Sequence, residues 1–96
     1  MRIKPGVQMR TLSTQIGLAI QEADRLLAGH LVVTSVSDGM HRPGSLHYVG
    51  MAVDFRLPAD PARFISELKE ALGVEFDVVL EKDHVHCEWQ PKVPAA

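Results

Sequence analysis

The chain has 96 residues, 46% hydrophobic and 23% charged, with a formal charge of -2 at neutral pH. That length suits one domain spanning 1–96 and is too short for two that each bury a useful core, and the balance is that of a water-soluble globular chain. With no block of Lys or Arg, a surface built to neutralise nucleic-acid phosphates is excluded, and a single cysteine, Cys87, rules out an internal disulfide.

Near the start, Leu12, Ile16, Ala19, Ile20, Ala23 and Leu27 recur at three and four residues and predict a helix from about Thr11 to Ala28, stopped by Gly29. Gln15, Gln21, Glu22, Asp24 and Arg25 interrupt the same stretch, so it reads neither as a signal peptide nor as a membrane span. The expectation is therefore synthesis in the cytoplasm, with no membrane and no nucleic acid as partner.

Leu31–Val36 is short and rich in β-branched residues, the pattern of a buried strand. Ser37–Ser45 is dense in turn formers and predicts a loop. From Met51 to Phe55 the alternation predicts a strand that buries Met51, Val53 and Phe55 and turns Asp54 to the other face. Asp60 followed by Pro61 opens a second helix, with Phe64, Ile65, Leu68 and Leu72 as its apolar stripe and Gly73 as its stop. Two strands close the chain, Phe76–Glu81 and His84–Trp89, and Pro91–Ala96 reads as a tail. In the last strand Val85, Cys87 and Trp89 share a core face, which makes Cys87 a small buried hydrophobe, while His84, His86 and Glu88 share the other. His30, just past a helix end, is expected at the surface. The predicted class is α+β, a small, mainly antiparallel sheet packed against two helices.

The chemistry-bearing residues gather in two places. His47 and Asp54 flank a turn at Gly50, and His84 and His86 lie on one strand face beside Asp83. Zinc takes imidazole nitrogen and carboxylate oxygen at about 2.0–2.2 Å, and a catalytic site uses three such ligands with one position kept for water. His47, Asp54 and His86 are the candidate set. Asp83 and His84 could then exchange a proton with that water or stabilise a developing oxyanion. Ser45 has no adjacent base and is expected to fix the loop rather than to act as a nucleophile.

Ser45-Leu46-His47-Tyr48-Val49-Gly50-Met51-Ala52-Val53-Asp54 resembles the S-x-H-x-x-G-x-A-x-D motif of the D-Ala-D-Ala carboxypeptidase/hedgehog superfamily of zinc peptidases. Asp83-His84-Val85-His86 resembles the second motif of that superfamily, and the wording is nearest to hedgehog domains. The resemblance implies a hedgehog/DD-peptidase-like fold, Zn2+ held by His47, Asp54 and His86, a general base at Asp83, and a role for His84 beside the metal or at the transition state. It makes His41, Arg42 and Ser45 candidates for lining the substrate site. The upstream arginine that holds the substrate carboxylate in carboxypeptidase members has no match in Leu31–Val36, leaving Arg42 or Arg56 to replace it, and Glu81 is an alternative to Asp83 as base. The implied activity is hydrolysis of D-amino-acid-containing peptidoglycan stem peptides by a phage or bacterial enzyme. The alternative is a module that keeps zinc for binding or as part of a phage structure.

Overall fold

The computed structural model describes residues 1–7, 14–38 and 51–90. Its elements are β1 (Arg2–Ile3), α1 (Thr14–Leu26), β2 (Val32–Asp38), β3 (Met51–Arg56), α2 (Pro61–Leu72), β4 (Phe76–Leu80) and β5 (His84–Trp89). The strands form one sheet in the order β1-β2-β3-β5-β4. The β1/β2 pair is parallel and the other three are antiparallel, so the sheet is mixed and the chain is a small α+β protein.

Helix α1 buries Ile16, Ala19, Ile20 and Ala23, the i, i+3, i+4, i+7 stripe expected from the sequence. It ends at Leu26, short of the predicted Ala28. The Gly29 amide bonds the Asp24 carbonyl at 2.9 Å and the Ala28 amide bonds the Arg25 carbonyl at 3.1 Å, which is the Schellman pattern. That closure places Ala28 in the left-handed region at φ 52, where a Cβ is strained. Ala28→Gly is therefore expected to stabilise the protein by about 0.5–1 kcal/mol, read as a raised urea midpoint at unchanged slope. A lowered midpoint would show that no strain is held there.

Helix α2 begins as the sequence predicts, with the Asp60 carboxylate accepting from the Arg63 amide at 3.1 Å and Pro61 in the first turn. It ends at Gly73, whose φ of 86 suits a residue without Cβ. Phe64 and Leu68 are its buried residues. They join Leu31, Val33, Val53, Phe55, Val78, Val85 and Cys87 and the α1 stripe in one apolar cluster, against which Ile65, Leu72 and Trp89 pack. Phe55 and Phe64 meet edge to face, with centroids 6.2 Å apart and planes at 79°. Among the described residues this core buries no polar or charged side chain, and no helix is long and apolar enough to cross a membrane.

Both helices pack on the sheet face that carries Val53, Phe55, Val85 and Cys87. Alternation then leaves Asp54, Arg56, His84, His86 and Glu88 on the opposite face, with no helix over them among the described residues. The sequence reading also differs from the fold in its strands. β1 has two residues, too few to show a period, and enters the sheet through the Arg2 and Lys4 amides bonding the Leu31 and Val33 carbonyls. β2 runs on to Asp38, through part of the predicted loop, because its pairing with β3 continues as Ser37 opposite Ala52 and Asp38 opposite Met51. β4 stops at Leu80, one residue early.

Candidate metal centre

The open face is ordered by register. Asp54 of β3 lies directly opposite His86 of β5, and Arg56 lies opposite His84. His84 and His86, two residues apart on one strand, point to the same side. Asp54 thus faces both imidazoles.

His86 Nδ1 is 2.8 Å from Asp54 Oδ1, and His84 Nε2 is 3.7 Å from the same oxygen. One donor atom from each of Asp54, His84 and His86 lies within 4.8 Å of the others. A tetrahedral ion with bonds near 2.1 Å needs ligand atoms about 3.4 Å apart, and the two Asp54–histidine contacts lie within an ångström of that spacing. Borderline nitrogen donors with one carboxylate suit zinc. Exposures of 25% for Asp54, 29% for His86 and 32% for His84 leave the group reachable from solvent yet partly desolvated.

Each imidazole also has its outer nitrogen on a carboxylate. His84 Nδ1–H donates to Asp83 Oδ1 at 2.7 Å, and His86 Nε2–H donates to Glu88 Oε1 at 3.2 Å. A carboxylate only accepts, so His84 keeps its proton on Nδ1, while His86, with a carboxylate at each nitrogen, donates from both when it is charged. The pair has the carboxylate–histidine form that orients metal-binding imidazoles.

Titration follows from these contacts. Burial opposes the charge on His86, but hydrogen bonds to Asp54 and Glu88 outweigh it and raise its pKa above the ordinary 6.5. The Asp83 hydrogen bond raises that of His84, and Asp83, bonded to His84, is lowered in return. Burial pushes the Cys87 thiol up to about 12, so it stays a neutral core side chain on the face away from the site, as expected.

Because the folded pKa of His86 is raised, its stabilising contribution in metal-free protein is complete below 6.5 and is lost as pH rises through the folded value. Zinc must displace a proton from the same ring, so stabilisation by zinc runs the other way and grows as pH rises. Melting wild type and His86→Gln in chelator and in excess zinc across this range should give opposite pH slopes for the difference between the two proteins. Equal slopes would show that His86 does not exchange a proton for the metal.

Of the residues singled out in the sequence, the structure brings together Asp54, His84, His86 and Asp83. His84 stands nearer the centre than the resemblance implies, within reach of the same ion as Asp54 and His86. Asp83 lies on its outer side with its side chain 84% exposed. Glu81 is exposed, at the position opposite His84. His41, Arg42, Ser45 and His47 lie outside the described residues. His30 is exposed, as expected. Glu88 had no role in the sequence reading, although the alternation that pairs His84 with His86 puts it on the same face. Comparison with protein-family models, curated proteins and solved structures finds no match to this chain.

Proposed function

We propose that the chain is a zinc-dependent peptidase of the D-Ala-D-Ala carboxypeptidase/hedgehog type, acting on peptidoglycan stem peptides that contain D-amino acids. The supporting observation is the convergence of Asp54, His84 and His86 on the open sheet face, at positions that fall within the two motifs carrying the resemblance. When bound, zinc supplies Lewis acidity toward a peptide carbonyl and lowers the pKa of water.

The chain's own groups divide the remaining work. Asp54 brings the negative charge, and His86 offers a nitrogen whose ring is oriented from behind by Glu88. Asp83, held ionised by its bond on the outer side of His84, is the base that the resemblance implies, taking a proton from the attacking water and returning it to the leaving amine. Glu81 is its rival. His84, when protonated at Nε2, donates to the oxyanion. Arg56, opposite His84, supplies a cation for a substrate carboxylate. His47 completes the ligand set that the resemblance implies, and His41, Arg42 and Ser45 line the substrate. Such a substrate lies outside the cytoplasm.

Purified cell walls of several chemotypes provide the test. Wild type should release new amino groups, chelator should stop it, and Asp83→Asn should lower the rate by about 10²–10⁴-fold. No release from any wall type overturns the peptidase reading; full activity in Asp83→Asn overturns the base assignment. A second reading, a zinc-bearing binding or phage structural module, is favoured by the 2.7 Å bond that commits Asp83 to His84. Zinc bound without any amine released would select it.

A further inference from the structure

The open face carries a carboxylate to which the peptidase reading assigns no catalytic step. Glu88 is 25% exposed, and each of its oxygens is engaged. Oε1 accepts from His86 Nε2 at 3.2 Å, and Oε2 accepts from the Gln90 side-chain amide. The Gln90 backbone amide is itself bonded to the Glu75 carbonyl at 2.6 Å, which fixes that end of β5 against the start of β4. A chain of contacts therefore runs Gln90, Glu88, His86, Asp54.

Register gives a second, independent indication. Glu88 lies directly opposite Asp77 of β4, and like charges in opposed positions of an antiparallel pair destabilise it by some tenths of a kcal/mol. Placing a glutamate there works against the sheet, whereas Thr or Val would support it. The contact with His86 offsets that cost.

We infer that Glu88 is a positioning residue of the metal centre: when Nδ1 of His86, 2.8 Å from Asp54, gives up its proton to a metal, Glu88 accepts the proton that remains on Nε2 and holds the ring's tautomer and orientation. The inference rests on the metal part of the proposed function and on none of its hydrolytic steps. A neutral imidazole has one proton and one lone pair, and the carboxylate behind the ring decides which nitrogen keeps which. Without Glu88 the ring is held by the Asp54 contact alone, which favours the proton on Nδ1, the nitrogen that a metal needs free. That weakens binding without removing a ligand.

The test compares wild type, Glu88→Ala and Glu88→Gln. Zinc affinity is measured by competition with a chromophoric chelator, and the His86 ring is followed by 15N NMR in the zinc-loaded proteins. Glu88→Ala should bind zinc about 10- to 100-fold more weakly than wild type, with the His86 Nε2–H signal lost to exchange with water. Glu88→Gln keeps an accepting oxygen, so it should retain the signal and lose less than about tenfold. Matching metal-free circular dichroism among the three proteins keeps the comparison clear of unfolding. Equal affinity in wild type and Glu88→Ala, or an unchanged Nε2–H signal in Glu88→Ala, overturns the role of Glu88 while leaving the metal centre standing. Failure of wild type to bind zinc overturns the metal centre itself and this inference with it.

Discussion

Replacing Asp54 by Ala should leave the metal-free fold intact and lower zinc affinity by on the order of 100-fold or more. Structural zinc sites in small peptides hold about 10–16 kcal/mol over four ligands, so one donor accounts for roughly 3 kcal/mol, and each 1.4 kcal/mol is tenfold. Asp54 is also the anionic member of the described donors, lying 2.8 Å from His86 and 3.7 Å from His84. Its loss leaves two imidazoles without the charge that gathers them. The fold should survive because the side chain is on the open face and contributes nothing to the core. Competition with a chelator measures the affinity, and circular dichroism the fold. Amine release from cell walls should disappear together with the metal. Zinc affinity within a few-fold of wild type would place the ion elsewhere.

Phe55→Ala should cost about 3–5 kcal/mol, a large part of the roughly 5–15 kcal/mol that holds a domain of this size folded. Phe55 is fully buried between the helices and the sheet, and its ring meets Phe64 edge-on. Removing it opens a cavity at the point where β3 is pinned to α2. Because Phe55 is the next residue to Asp54, the consequence reaches the site: the register that sets Asp54 opposite His86 is held by the apolar residues alternating with them, Val53, Phe55, Val85 and Cys87. Urea unfolding should show a sharply lowered midpoint. Zinc at about 100 times its dissociation constant should restore about 2.7 kcal/mol, since the proposed site exists only with the strands paired. A loss below about 1 kcal/mol would mean that the core does not close around this ring, and no recovery with zinc would mean that metal binding does not need the pairing of β3 with β5.

These two substitutions act on neighbouring residues with opposite expected outcomes, one on binding without folding and the other on folding and through it on binding. Strand alternation is the cause. Successive side chains face the core and the open surface in turn, so the same six residues of β3 carry a structural set and a chemical set.

Much of this was determined by the sequence alone. Helical stripes at three and four residues, the Asp60-Pro61 start and the Gly73 stop are local signals, and α2 begins and ends where they put it. The period of two in His84–Trp89 separated Val85 and Cys87 from His84 and His86, and β5 has those same bounds. Of the zinc-like donor set expected from the residue types, His47, Asp54 and His86, the last two meet in the fold.

Only the tertiary structure decided the rest, because it depends on pairing between distant segments. That Asp54 faces His86, 32 residues away, is a matter of strand register, which no local period contains. Pairing likewise carried β2 past its predicted end and gave the two-residue β1 a place in the sheet. The surroundings of His84 also depend on that pairing. From the sequence His84 and Asp83 are ionisable neighbours of His86, whereas in the fold His84 turns one nitrogen toward Asp54 and the other to Asp83. Glu88, two residues along the same strand face from His86, is its hydrogen-bond partner in the fold. Sequence fixes which face a side chain takes; the sheet fixes what it meets there.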